Sequence, residues 1–233
     1  MDLLPLLILA NQVGYVEDRQ ILDSIILSHE TIHLLQTLKN LRMIMQLDMS
    51  KAFDQISGDY MREVLKAFRF HQDFIEWIMA PVSGVFFSIF LNNSSTQPFA
   101  PSRGIRQGDL LFPSLFVLMV EGLSRSLQVV NTNNKLTGLK LRDSSPTSIH
   151  QKFVDDTLLM GIPTIDEAEA FKRILNVFFE APGTSINHQK SKIFFLNITF
   201  AIQRNIIKIL GFQICSLLSK CLGVPLTDKS LRK

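Results

Sequence analysis

The sequence predicts an α+β fold, an antiparallel sheet with helices on one face, and three observations carry that prediction. Short apolar runs bounded by turn residues are interspersed with longer runs whose apolar residues recur at helical spacing. Clusters of Asn, Asp and Gly separate some of the short runs closely enough for hairpins, which only antiparallel strands allow. The 233 residues are 46% apolar and 19% charged, enough for one sizeable core without a disulfide or metal staple.

Taken in order, the first element is a long helix over Gln20–Leu41, where Ile21, Ile25, Ile32, Leu35 and Leu38 recur at mixed helical spacings and Asp18 or Asp23 stands near the start. The segment Arg42–Met49 alternates loosely and runs into Asp48, which predicts a mostly buried strand ending on a carboxylate. Helices follow over Asp59–Phe68 and Gln72–Met79, the second stopped by Pro81. Val85–Leu91, a polar Asn92–Ser95 turn and a weaker second run read as a hairpin. A polar loop then leads to a helix that begins near Pro113 and carries Leu115, Phe116, Leu118, Met119, Leu123 and Leu127.

Beyond the Asn131–Asn134 turn cluster, Leu139–Leu141 and Ile149–Val154 read as strands, with Asp155-Asp156 at a tight turn and Thr157–Met160 returning. A helix over Ile165–Phe179 is ended by Pro182-Gly183. Ile193–Leu196 is a short strand, Ile202–Leu210 a helix, and the tail from Leu226 is polar. No repeat, low-complexity tract or linker marks a domain boundary.

Composition narrows the partners and the compartment. The balance of 24 Lys+Arg against 21 Asp+Glu permits a polyanionic partner without requiring one, and by itself reads most simply as a mildly basic soluble protein. The two cysteines, Cys215 and Cys221, form no zinc pattern and are expected to be reduced thiols. The apolar opening Leu3–Ala10 is broken by Pro5, lacks a preceding basic residue and is too short to cross a bilayer. An intracellular location, nuclear or cytoplasmic, is therefore expected, with neither secretion nor a membrane partner. His29 and His33 share a metal-pair spacing without a Glu-x-x-His frame, the eight methionines are scattered as core fillers, and Trp77 reads as a core anchor.

Chemistry concentrates on three carboxylates. Asp155 and Asp156 on a hairpin between apolar strands place two negative charges side by side, which is costly unless a cation neutralises them. Asp48, at the end of another buried strand, supplies a third. Oxygen ligands converging from neighbouring strands suit two hard divalent cations and phosphoryl transfer. A solvated pair of turn aspartates is the plainer alternative.

The surrounding blocks resolve that choice by resemblance. Leu47-Asp48-Met49-Ser50-Lys51-Ala52-Phe53-Asp54 resembles motif A of the reverse transcriptases of non-LTR (LINE-type) retrotransposons. Arg103-Gly104-Ile105-Arg106-Gln107-Gly108-Asp109, followed by an apolar helix and Glu121-Gly122-Leu123-Ser124, resembles motif B, and Phe153-Val154-Asp155-Asp156 resembles motif C. Ser185-Ile186-Asn187 with Lys190-Ser191 is similar to motif D, and Cys221-Leu222-Gly223-Val224-Pro225-Leu226 to motif E. Upstream, Asn11-Gln12, Arg19 and Ile21-Leu22-Asp23 also match, so the resemblance covers nearly the whole chain. A group II intron maturase-type polymerase is a near relative that fits the motif B and E blocks less well.

The resemblance implies a polymerase palm of the split βαββαβ type with a partial fingers region: residues 1–40 a fingers remnant, and 41–233 a palm with motifs A to E. It implies an RNA-directed DNA polymerase acting on an RNA template, a DNA primer and dNTPs, with protein partners unknown. Asp48, Asp155 and Asp156 would hold two Mg²⁺ ions, with Mn²⁺ as a substitute, and Lys190 would protonate the leaving pyrophosphate, with Lys192 as a rival. Phe53 would be a steric gate against the ribose 2′-hydroxyl, or else a core aromatic. Gln107 and Gly108 would lie against the incoming nucleotide, and Arg103 and Arg106 would contact template or phosphate unless they are simply solvated.

Three departures weigh against activity. Gln151-Lys152 stands where the pattern has apolar residues, and a buried lysine is costly. Leu110, Phe112 and Ser114 differ from the usual residues after motif B, and Gly58 replaces a tryptophan. The chain is also expected to start after most of the fingers and to stop past motif E, without thumb or endonuclease. Weak or absent polymerisation by the isolated chain follows, and a non-enzymatic remnant that binds nucleic acid or protein, or a pseudogene product, is the alternative.

Overall fold

The computed structural model describes residues 3–26, 30, 41–105, 111–140, 147–215, 220–221 and 224–225. Helix α1 (Leu4–Leu7) and the helical residues 21–26 (α2) precede strand β1 (Arg42–Leu47) and the short β2 (Met49–Ser50). Helices α3 (Gly58–Ala67) and α4 (Gln72–Ser83) lead to a small hairpin of β3 (Phe90–Leu91) and β4 (Ser94–Ser95). The long α5 (Phe112–Thr132) is followed by β5 (Leu139–Lys140), β6 (Thr147–Ser148), β7 (His150–Phe153) and β8 (Asp156–Gly161). Helix α6 (Ile165–Glu180), β9 (Ser185–Ile186), β10 (Lys192–Leu196), α7 (Phe200–Leu210), β11 (Gln213–Ile214), β12 (Lys220–Cys221) and β13 (Val224–Pro225) complete the order.

The main sheet has the order β11-β10-β1-β8-β7. Strand β1 lies at its centre, antiparallel to both β8 and β10, and β7 and β8 form a hairpin. Traced as β1-α5-β7-β8-α6-β10, the chain makes the split βαββαβ arrangement that the sequence predicts. Alternation along β1 divides its side chains: Met43, Met45 and Leu47 join the large core with Phe116, Phe171 and Leu175 of the helices, while Ile44 joins a small cluster on the other face with Leu139, Leu158 and Met160. The principal helices thus cover one face.

Local chemistry sets the helix ends. Ser57 caps α3 by accepting from the Tyr60 N–H at 3.3 Å, and Thr164 caps α6 by accepting from the Glu167 N–H at 3.2 Å. Gly211, at φ +75°, ends α7 in the left-handed conformation.

Several expectations need correction. Helix α4 runs through Pro81 to Ser83, because a proline this close to the end breaks only the last turn before Gly84. Trp77 is not a core anchor: it is 73% exposed on the outer side of α4. The predicted Val85–Leu91 strand shrinks to Phe90–Leu91 and a Phe87–Phe99 bridge. No charged residue occurs from Trp77 to Ser102, yet this arm is largely exposed, so its apolar character reflects no burial. Most of the predicted Gln20–Leu41 helix, including His29 and His33, lies outside the described residues, as does most of the motif E block.

Candidate active site

The register of the sheet brings the three carboxylates together. Leu47 pairs with Thr157 across β1 and β8, so one step further Asp48 stands opposite Asp156. Since Leu47 and Thr157 are buried, alternation turns Asp48 and Asp156 toward the face that the main helices leave uncovered. Asp155 belongs to the two-residue turn between Phe153 and Asp156, which are themselves a register pair. All three side chains are partly exposed.

Backbone contacts hold Asp48 in place. Its N–H donates to Ser191 Oγ at 3.1 Å, and its carbonyl accepts from the Asn187 N–H at 2.9 Å. The β2–β9 pairing, Met49 to Ile186 and Ser50 to Ser185, extends this attachment, so the motif D segment braces the motif A strand. Sequence reading placed Asn187 and Ser191 in a motif without giving them this task. The Ser191 contact spans 143 residues of chain, so no local signal in the sequence could have found it.

Electrostatics follow from this convergence. Burial, followed by the charges of Asp155 and Asp48, pushes Asp156 up to about 6. Asp155 is also raised, first by burial and then by Asp48, while its own and the following backbone N–H and the charge of Lys190 oppose the rise. Lys190 is exposed but close enough for its charge to be felt at Asp155. Negative charge is therefore packed more densely than the protein alone compensates. Among the described residues no group of three or more His, Cys, Asp or Glu side chains is drawn together closely enough to hold a metal ion. The donors are nonetheless all hard carboxylate oxygens with uncompensated charge, which fits Mg²⁺ or Mn²⁺ rather than a soft metal.

The other predicted residues fall around this centre unevenly. Phe53 is half-buried and stacks on Phe116 of α5, with ring centroids 4.3 Å apart and planes at 26°. Its carbonyl accepts from the Ile105 N–H at 2.9 Å, and that of Ile56 accepts from the Gly104 N–H at 2.9 Å, which docks the start of motif B on the motif A loop. Gly104 sits at φ +93°, and a Cβ there would lie 2.7 Å from the Asp54 carbonyl oxygen, so only glycine fits. Arg103 is exposed, donates to the Gly183 carbonyl at 3.1 Å and borders an open cleft of about 370 Å³ with Asp54, Val82, Val85 and Phe87. Arg106, Gln107 and Gly108 lie outside the described residues.

A second charged cluster lies beneath the hairpin. Lys152 is 1% exposed, and its Nζ donates to the Val120 carbonyl at 2.6 Å. Burial pulls it down to about 7, partly offset by Glu121. Glu121 accepts from the Leu9 N–H at 3.2 Å and pairs with Arg125 at 3.4 Å, and burial raises it. His150, also buried, is driven down to about 3 by burial and then by the Lys152 charge. The lysine foreseen as a costly departure is thus buried in full.

A βαββαβ sheet carrying carboxylates on its uncovered face, at the end of the central strand and on the adjoining hairpin turn, defines a polymerase palm. The reverse transcriptase (RNA-dependent DNA polymerase) family model matches residues 3–214, and the chain belongs to that family. Its relatives show the domain to be of the LINE type. It is 27% identical over 176 residues, 76% of this chain, to a 149 kDa protein of transposon TX1 from Xenopus laevis, of which it spans only 13%. It is 36% identical over 84 residues to the Pol polyprotein of type-2 retrotransposable element R2DM from Drosophila melanogaster, covering 36% of this chain and 8% of that protein. Among solved structures, apo telomerase from Candida tropicalis, truncated from its C-terminal domain, superposes with a TM-score of 0.57 at 13% identity over 82% of this chain and 37% of that one. At that identity the likeness concerns the fold. Among the described residues no helix is long and apolar enough to cross a membrane.

Proposed function

We propose that the chain is the palm-centred part of an RNA-directed DNA polymerase that joins a dNTP to a primer 3′-hydroxyl on an RNA template. The convergence of Asp48, Asp155 and Asp156 at adjoining strand ends carries this reading. These three carboxylates would hold two divalent cations, and cations bound there would acidify the primer hydroxyl and offset charge on the triphosphate. Two of the carboxylates resist ionisation in the free protein, so the site is poised to gain from a cation.

The remaining residues position the reactants. Phe53, five residues after Asp48, is backed by the ring of Phe116, a rigid wall suited to testing the sugar of an incoming nucleotide. Lys190, exposed and within electrostatic reach of Asp155, is placed to give a proton to the departing pyrophosphate. Arg103 at the cleft rim supplies positive charge where a strand would pass, and Arg106, Gln107 and Gly108 would line the nucleotide's approach. Residues 1–40 would be a remnant of the fingers. A telomerase from Candida albicans that shares the fold, with a TM-score of 0.57 at 15% identity over 78% of this chain and 31% of that one, was solved with a TWJ fragment of telomeric RNA, and an RNA partner is part of this proposal.

Primer extension on an RNA template with the purified chain tests the proposal. Mg²⁺-dependent elongation should fall on the order of a thousandfold in Asp155→Asn. Elongation that survives this substitution would overturn the assignment.

A further inference from the structure

The sharpest point of the carboxylate hairpin is held from outside the hairpin. Val154 sits at φ +57°, a backbone region that β-branched residues rarely adopt. Gln12, 1% exposed, grips it on both sides: Oε1 accepts from the Val154 N–H at 3.0 Å, and Nε2 donates to the Val154 carbonyl at 3.1 Å. The same Oε1 accepts from the Gly14 N–H at 3.0 Å. A carboxamide alone offers a donor and an acceptor at this spacing, since a carboxylate lacks the donor and an ammonium lacks the acceptor.

The segment bearing Gln12 is itself anchored. Lys152 N–H donates to the Asn11 carbonyl at 2.8 Å, Val13 N–H donates to the Lys152 carbonyl at 3.2 Å, and Asn11 Nδ2 donates to the His150 carbonyl at 2.8 Å. Arg19 fastens the other side, donating to the Gln12 carbonyl at 2.6 Å and the Leu9 carbonyl at 2.7 Å. Gly14 permits the close approach, because a Cβ there would fall 2.5 Å from Val154 Cγ2 and 2.8 Å from its nitrogen.

We propose that Gln12 is a positioning residue for the carboxylate pair: by fixing the left-handed Val154 it sets where Asp155 and Asp156 stand relative to Asp48. Its effect on metal binding rests on the reading of those carboxylates as metal ligands, whereas the clamp itself does not. Gln12 touches no reactant and acts only through the turn.

Two readouts on the full chain test this: amide hydrogen exchange by NMR, and Mn²⁺ affinity by electron paramagnetic resonance. In Gln12→Met the Val154 amide should exchange about tenfold faster or more, the scale of one lost buried hydrogen bond, while amides of Ile44 and Met160 keep their rates. Mn²⁺ affinity should fall by about tenfold, and adding Val154→Gly, which accepts the turn without strain, should return it to within about threefold of wild type. If Gln12→Met does not fold, the same comparison is made in the Val154→Gly background, where losing Gln12 should change affinity by less than about threefold. An unchanged Val154 exchange rate, uniform loss of protection across the sheet, or no rescue by Val154→Gly would overturn the proposal. Mn²⁺ binding that is absent, or indifferent to Asp155→Asn, would refute the metal reading instead, with the exchange measurement still deciding the clamp.

Discussion

The β7–β8 hairpin is charged at both ends, and the two ends answer the same electrostatic problem in opposite ways. At the turn, Asp155 and Asp156 stand partly exposed beside Asp48, and their mutual repulsion is open to relief by a cation arriving from solvent. In the body of β7, His150 and Lys152 are buried away from solvent. Burial favours their neutral forms, His150 down to about 3 and Lys152 down to about 7, with Glu121 partly offsetting the latter. Neither ring nitrogen of His150 finds a hydrogen-bond partner among the described residues. Clustered charge that a ligand can reach is a candidate site, whereas clustered charge sealed from water is a cost borne by the fold.

Removing the sealed charge gives the largest expected change. The double variant Lys152→Leu/Glu121→Gln, which removes the buried charges together, should raise stability by about 1–4 kcal/mol at neutral pH, measured by urea denaturation. The sign follows from proton binding: folded Lys152 titrates at about 7 and the unfolded residue near 10.4, so between these values the unfolded chain holds the extra proton and stability rises with pH. The variant should lose that slope, and its advantage should shrink toward about pH 10. A variant less stable than wild type would show that the bond to Val120 outweighs the burial.

At the turn the effect is smaller and depends on the cation. Asp156 titrates at about 6 in the folded protein, above its ordinary value near 3.9, so the metal-free fold loses stability as pH rises across this interval. His150 works the other way, its contribution increasing between about 3 and 6.5. In His150→Phe the carboxylate trend should emerge alone in thermal melts. Added Mg²⁺ should then raise Tm by a few degrees near pH 7.5 and by about 1 °C or less near pH 5, where protons compete for the same oxygens. Equal shifts at both pH values would separate the cation from these carboxylates.

The smallest expected change is at Lys190, whose charge lowers Asp155 from an exposed position. Lys190→Ala should move the pH midpoint of Mg²⁺ binding upward by about half a unit or less, and high salt should erase the difference. A shift of the same size in Lys192→Ala would give the role to its neighbour.

Much of this molecule is legible in its sequence because periodicity and punctuation agree. The Met43–Leu47 run, the turn between Phe153 and Asp156, Pro113 at the head of α5 and Pro182-Gly183 after α6 each pair a hydrophobic pattern with a local signal. Where one of the two is missing, the reading fails. Pro81 is a strong signal with no pattern change behind it, and the helix passes through. Trp77 and the Phe86–Leu91 run are apolar without being buried, and hydrophobicity alone does not reveal which surface a side chain meets. The carboxylates were found by their flanking motifs. The tasks of Gln12 and Ser191 were not, because each is a polar contact across 142 or 143 residues of chain and leaves no local trace.

Segment 11–13 also does something for the protein as a solute. Strand β7 is the last of the main sheet, and the parallel bridge from Gln12 to Lys152 occupies backbone groups that a bare rim would offer to any passing strand. Arg19, bonded to the carbonyls of Leu9, Gln12 and Ile8, keeps that cover closed. Cutting the chain downstream of Arg19 would therefore uncover a template for intermolecular pairing at the rim nearest the carboxylates, so that loss of solubility, rather than loss of chemistry, would be the first symptom of an overtrimmed domain.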